Sequence, residues 1–278
     1  MAQSKDKLKL LTLNTHSWQE TDSVSCLRHV ADALMHEKPD IIALQEVNQK
    51  QNAPVVSESI LNANRFISAG HQIHMDNWAL ALSEIVPDYQ WCWCFTHIGY
   101  RIWEEGLAIL SRQPILEVRC QDLSTAESKL RRYALAVRTR FGWFISTHLG
   151  WWDDPNDPFA GQWDRLNTFA QCLENPVYLM GDFNSPAHEH GKGYDRILAD
   201  GWKDCYTRAE TRDAGITVPG QIDGWRDAAV SGFRMDFCLA GQAGRTLSSR
   251  VIFNGAFYPV ASDHFGVLTE EQLPFFNA

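Results

Sequence analysis

The chain has 278 residues, 45% of them hydrophobic and 21% charged, enough to bury a sizeable core in one large layered domain. No run approaches the roughly 20 apolar residues of a membrane-spanning helix, and Met1 to Lys9 is polar and lacks an apolar leader core, so a cytoplasmic protein with no membrane partner is expected. A formal charge of −9 and a pI of about 5.5 disfavour a duplex nucleic-acid partner, which calls for a basic face or stripe.

Leu8 to Asn14 reads as a strand. Asp22 to Lys38 reads as a helix with Leu27, Val30, Ala31 and Leu34 on one face, ended by Pro39. Asp40 to Leu44 is a strand that runs into Gln45-Glu46. Asn48 to Met75 has no clear period and is long for a loop, which predicts a functional or partly helical segment. Asp76 to Val86 reads as a helix capped by Asp76. Strands are predicted at Tyr89 to Phe95, Gly106 to Leu110, Ile115 to Cys120, Ala134 to Arg140 and Trp143 to Thr147. Asp157-Pro158 then starts a helix with Phe159, Trp163, Leu166, Phe169 and Leu173 on one stripe. Val177 to Met180 is a strand, Asp195 to Asp200 a short helix, and Arg234 to Ala240 and Gly266 to Leu268 late strands. Several strands follow one another without a helix between them. That pattern predicts an α/β protein built on a pair of mixed sheets flanked by helices, in one domain spanning 1–278. The seven cysteines have no metal-finger spacing and read as reduced thiols.

Polar residues recur where the strands end. Asn14 ends the first, Glu46 follows the second, His148 closes Trp143 to Thr147, and Asp182 and Asn184 close Val177 to Met180. Asp236 opens the strand at Phe237, and Asp263-His264 precede Gly266. Any one of them has a bland reading as a cap or a turn. Together they have the side chains that hydrolysis of a phosphate ester needs: ligands for a cation, a base for water, and donors for the spreading charge. Asn14, Glu46 and Asp263 offer the oxygens that hard Mg²⁺ or Mn²⁺ prefers. In extended backbone positions 182 and 184 face one side, so Asp182 can take a proton from water while Asn184 donates to a phosphoryl oxygen or binds metal. His148 and His264 can act as charged donors or as acid/base groups, and Asp236 beside a His would fix its tautomer and raise its pKa.

These stretches resemble the endonuclease/exonuclease/phosphatase superfamily: "LTLNTHSW", "DIIALQEV", "EGLAILSR", "STHLG", "MGDFNSP", "RMDFCLA" and "SDHFGV", in family order along nearly the whole chain. The resemblance implies a four-layer α/β/β/α sandwich of DNase I-like type with the site at one rim of two packed sheets. It implies metal ligation by Asn14, Glu46 and Asp263, and a nucleophile oriented or deprotonated by Asp182. Asn184 would hold the phosphoryl group, His148 would touch it, and His264 would pair with Asp236. Glu105 stands where some members place a carboxylate that supports the second His, with a solvated strand-start Glu as the plain alternative. Met235 replaces the Ile common before that Asp.

Substrate choice lies outside the shared motifs. Asn48 to Asp76, "HIGYRIWEEG" (97–106), "HLGWWDDP" (148–155) and "IDGW" (222–225) are the candidate stretches, with Tyr100, Glu105, Trp151 and Trp152 as candidate substrate contacts. One of the two adjacent Trp is expected in the core and the other beside the ligand. "DNWALAL", "HIGYRIWEEGLAILS", "THLGWW" and "GYDRILADGWKDCY" are similar to the bacterial maltose 6′-phosphate phosphatase branch. That similarity implies a metal-dependent phosphatase for a small phosphorylated sugar. A nuclease or sphingomyelinase-like phosphodiesterase, or a non-catalytic sugar- or phosphate-binding module, are the alternatives. His188, His190 and Lys192 are read as solvated loop residues, with leaving-group contact as the second reading.

Overall fold

The computed structural model describes residues 7–222, 225, 232–242 and 244–273. In chain order the strands are β1 (Lys7–Asn14), β2 (Ile41–Gln45), β3 (Gln49–Lys50), β4 (Gln90–Gly99), β5 (Trp103–Ser111), β6 (Glu117–Asp122) and β7 (Tyr133–Thr139). They continue as β8 (Gly142–His148), β9 (Val177–Asp182), β10 (Lys203–Asp204), β11 (Thr211–Arg212), β12 (Asp236–Ala240), β13 (Arg245–Ile252) and β14 (Gly266–Gln272). The helices are α1 (Ser23–Glu37), α2 (Glu58–Ala63), α3 (Trp78–Ile85), α4 (Phe159–Gln171), α5 (Gly193–Ala199) and α6 (Cys205–Arg208).

Two mixed sheets form. An eight-stranded sheet runs β11-β13-β14-β1-β2-β5-β3 with β4 also on β5, and a six-stranded sheet runs β10-β12-β9-β8-β7-β6. The alternation of strand residues divides the apolar side chains among three layers. Leu8, Leu10, Ile41 and Ile109 of the first sheet meet Val137, Phe144, Tyr178 and Met180 of the second in a buried middle layer. On the outside of the first sheet Leu11, Leu13, Ile42 and Leu44 pack under α1 and α3 through Leu27, Val30, Leu34 and Trp78. On the outside of the second, Ile145, Leu179 and Phe237 pack under α4 and α5 through Phe159, Trp163, Leu166 and Ile197. The result is the four-layer α/β/β/α sandwich that the resemblance implies.

Strand direction sets where the site lies. β1 and β2 are parallel, and β14 runs antiparallel to β1. Likewise β8 and β9 are parallel, and β12 runs antiparallel to β9. The carboxyl ends of β1, β2, β8 and β9 and the amino ends of β12 and β14 therefore share one rim.

Helix termini follow local hydrogen bonding more than the acidic residues alone suggest. α1 ends as expected: Asp22 accepts from the Ser25 N–H at its start, and Lys38 closes it in a left-handed conformation. The cap of α3 is Asn77 and not Asp76: the Asn77 side chain accepts from the Ala79 and Leu80 N–H groups, while the Asp76 carboxylate accepts from the Lys50 N–H. Asp157 does not cap α4 either, because its carboxylate takes the Thr125 N–H and the Arg165 guanidinium. The 48–76 segment is structured by β3, α2 and a bridge between Val55 and His74, with Val56 and Ile73 joining the core under α3. No helix among the described residues is long and apolar enough to cross a membrane.

Candidate active site

The strand-end residues converge. Asp182 and His148 are direct register partners across β8 and β9, and Asp182 and Asp236 across β9 and β12. The close approach of β8 and β9 needs Gly181, where a Cβ would lie 1.9 Å from the Thr147 carbonyl oxygen. Across the gap between the sheets, Asn14 Nδ2 donates to Glu46 Oε1 at 2.9 Å and to Asp182 Oδ2 at 3.2 Å. One amide thus joins the two halves of the molecule.

Asn184 reaches the site by a turn and not along a strand face. Its φ is 45°, left-handed backbone, and its N–H donates to Asp182 Oδ1 at 2.8 Å. Position 184 is therefore not in extended backbone as expected, although both side chains still arrive together. Asn184 Nδ2 donates to the Leu149 carbonyl at 2.9 Å and to His148 Nε2 at 3.0 Å, and its Oδ1 accepts from Trp225 Nε1 at 3.0 Å. Glu46, His16 and Tyr100 also have positive φ, and all three line the same cleft as Asn184. Such strain in non-glycine residues concentrates where a fold holds side chains for a ligand.

Two imidazoles in the site take opposite charge states. His264 is buried, with Nδ1 donating to Asp236 at 3.0 Å and Nε2 3.8 Å from Asp182. Burial pushes its pKa down, but the two carboxylates outweigh it and hold the ring well above the ordinary value, as imidazolium. His148 is held well below, by burial first and then by the charge of Arg132. It is therefore a neutral ring and not a charged donor at neutral pH, and Asn184 Nδ2 fixes its Nε2 as an acceptor. Asp182 is pushed up to about 7 by burial and by Asp236, against the pull of His264.

A cleft of about 340 Å³ opens beside these groups. Glu46, His148, Asp182, Asn184, Asp263 and His264 line it, together with Glu105, Tyr100 and Trp151. The two tryptophans separate. Trp151 faces the cleft, whereas Trp152 packs on Phe159 of α4, with ring centroids 6.0 Å apart, as part of the outer core. Trp152 as a substrate contact is corrected accordingly. Glu105 does not support His148. Its Oε1 lies 3.8 Å from His97 Nε2, and burial with the nearby Glu46 charge pushes its pKa up to about 8. The 48–76 segment contributes no lining residue. Of the "IDGW" stretch, Ile222 lines the cleft and Trp225 bonds Asn184, while Asp223 and Gly224 lie outside the described residues. Lys192 pairs with Glu189 at 2.9 Å and His190 stands exposed near Asp195, consistent with solvated loop roles.

Among the polar lining residues, His16 and His97 fall in stretches quoted above without being singled out, and Arg132 lies outside all of them. Arg132 has a topological signal. β7 is antiparallel to β8, so the chain just before Tyr133 must lie at the rim where β8 delivers His148. His16, two residues past Asn14, has only its place beside the motif. Its Nδ1 meets Glu20 at 3.0 Å, and Glu20 in turn accepts the Asp263 N–H.

Among the described residues two groups of His, Asp and Glu side chains have the ligand atoms to hold a metal ion: His16, Glu20 and Asp263 at the edge of the cleft, and the buried Asp182, Asp236 and His264. In the second group His264 already bonds Asp236 and lies 3.8 Å from Asp182.

A sequence profile of the Endonuclease/Exonuclease/phosphatase family matches residues 12–264. The chain belongs to that family. Comparison with curated proteins finds no match. Among solved structures it is similar to an endonuclease/exonuclease/phosphatase family protein from Leptotrichia buccalis, with a TM-score of 0.80, 28% identity, and 96% of this chain and 100% of that one covered. It shares its fold with a mannosyl-6-phosphatase from Bacteroides thetaiotaomicron (TM-score 0.67, 17% identity, 96% and 100% covered). It also shares it with a 3′ phosphatase from Neisseria bound to a product DNA hairpin (TM-score 0.65, 18% identity, 96% and 100% covered).

Proposed function

We propose that the protein is a metal-dependent phosphatase that hydrolyses the phosphomonoester of a small sugar, maltose 6′-phosphate being the substrate its sequence resemblance favours. The observation that carries this reading is the cleft. The convergent His148, Asp182 and Asn184 open into about 340 Å³, a small-molecule volume, walled by the indole of Trp151 and the acid of Glu105. An apolar ring face and a hydroxyl-binding acid suit a sugar. The mannosyl-6-phosphatase neighbour adds a sugar phosphatase on the same fold.

In this reading Asp182 Oδ2 takes the proton from the attacking water. Its buried, raised pKa makes it a stronger base than a solvated Asp, and His264 favours its ionised form before the step. Asp236 fixes His264 in place through Nδ1. Asn184 would turn the Nδ2–H that it now gives to His148 Nε2 toward a phosphoryl oxygen, with His148 on the same side of the cleft. Asn14, Glu46 and Asp263 would hold Mg²⁺ or Mn²⁺, whose charge against the phosphoryl oxygens is the chemistry the ion supplies. The fit is chemical: carboxylate and amide oxygens suit a hard ion. It requires Asn14 to rotate its amide, since Nδ2 now faces Glu46 and Asp182.

A phosphate-release panel with Mg²⁺ or Mn²⁺ tests the proposal, using maltose 6′-phosphate, glucose 6-phosphate, an aryl phosphate, plasmid DNA and sphingomyelin. Sugar phosphates should give the highest kcat/KM. Nicking of DNA faster than sugar-phosphate turnover overturns the ranking, and ligand binding without any turnover points to a binding module. Asp182→Asn should lower kcat by about 10³-fold while Tm holds, since only the proton acceptor is lost.

A further inference from the structure

Arg132 lies just before β7, is 5% exposed, and lines the cleft. Its backbone is pinned, with the N–H on Ser124 Oγ and the carbonyl on the Leu123 N–H at 2.8 Å. The guanidinium stands 5.9 Å from the centre of the Trp151 ring. Among the described residues no carboxylate lies within ion-pairing distance of it, and its nitrogens make no hydrogen bond yet are not sealed from the cleft. Other arginines differ. Arg234, nearly as buried, meets Asp204 at 2.8 Å, and Arg165 and Arg250 meet Asp157 and Glu37 at 2.7 and 2.6 Å.

A buried cation without a partner is costly, so a fold that keeps one is expected to supply a counter-charge from outside. The carboxylates whose charge reaches it, Glu105 first and then Asp182, Glu46 and Asp154, all stand beyond ion-pairing distance. His97 and His148 share this wall, and neither ring offers a negative charge. The Trp151 face steadies the guanidinium, and its planar fork of donors matches two oxygens of a phosphate.

We propose that Arg132 is a phosphate ligand that gives the site its preference for monoesters, taking two non-bridging oxygens of a phosphomonoester dianion. This inference rests on the phosphatase reading above. A monoester offers three such oxygens and two negative charges. A diester offers two oxygens and one charge, and its second ester group would occupy space against the fork.

The test compares wild type, Arg132→Gln and Arg132→Lys on an aryl phosphate and on the matching diaryl phosphate, and measures binding of inorganic phosphate by calorimetry. In Arg132→Gln, kcat/KM for the monoester should fall by about 10²–10³-fold. The monoester-to-diester ratio should fall with it, and the Kd for inorganic phosphate should rise at least about tenfold. Arg132→Lys keeps the charge without the fork and should recover part of the phosphate binding. An unchanged ratio, or phosphate binding equal in all three proteins, overturns the assignment. If Arg132→Gln fails to fold, the same ratio and Kd in Arg132→Lys decide. Wild type that binds inorganic phosphate through Arg132 but turns over no monoester overturns the phosphatase reading alone.

Discussion

At the scale of single residues, the two adjacent tryptophans show how burial divides one sequence motif into two jobs. Trp151 keeps a buried indole N–H without an acceptor among the described residues and presents its ring to the cleft. Trp152 rests on Phe159. Trp151→Ala should therefore raise KM for a sugar phosphate about five- to tenfold, ~1 to 1.4 kcal/mol, with a smaller effect on an aryl phosphate. Trp152→Ala should leave both KM values in place and lower Tm. Kinetics and thermal melts of the two variants settle the division, and equal KM effects on both substrates would return Trp151 to the core. Sequence could name the pair but could not orient it, because both residues follow β8 in irregular chain where no period of two or of 3.6 assigns a face. The motif residues were legible for the opposite reason. Asn14, His148, Asp182 and Asp236 each terminate or open a strand whose apolar alternation is plain, so their direction follows from the strand.

At the scale of elements, legibility depended on local periodicity and failed where it was interrupted. β13 has no clean alternation because a register shift between Thr246 and Ser248 inserts a residue against β14, and the strand left no sequence signal. α1 was plain from its stripe, but what locks it was not. Its last residue, Glu37, is an acid at a helix C-terminus, where the dipole disfavours one. It is held by partners from three other segments: Lys9 at 3.2 Å, Arg250 at 2.6 Å and the Tyr258 hydroxyl at 2.8 Å. Burial raises its pKa, but these bonds overcome burial and pull it from 4.5 down to about 2. A carboxylate whose folded pKa is depressed stabilises the fold above its unfolded pKa, and that contribution is lost as pH falls through the folded value. Glu37→Gln should thus cost about 2 kcal/mol at pH 7 in urea unfolding. The difference from wild type should shrink below pH 4.5 and vanish near pH 2. A difference independent of pH would show that the amide's shape, and not the charge, matters there.

At the scale of the whole molecule, the site exists only where the two sheets meet, and one buried polar contact sits directly beneath it. Gln45 Nε2 of β2 donates to Ser146 Oγ of β8 at 3.0 Å, and that hydroxyl donates to the Leu44 carbonyl at 3.1 Å. Thr12 of β1 adds a bond to Gln45 Oε1 at 3.3 Å. Both Gln45 and Ser146 are fully buried, so the contact fixes the offset between the sheets at the point where Glu46 leaves one and His148 the other. We propose that the chain behaves as one domain on this account, and a single urea transition is expected. Ser146→Ala leaves the Gln45 amide buried without its acceptor and should cost about 1–3 kcal/mol. Because Glu46 follows Gln45 directly, kcat/KM should fall as well. Pairing Ser146→Ala with Gln45→Met removes both partners, and the double variant should be less destabilised than the sum of the single changes. Additive costs, or a Ser146→Ala enzyme with full activity, would mean that the sheets are held in register by the apolar middle layer alone and that the polar contact is incidental to the site.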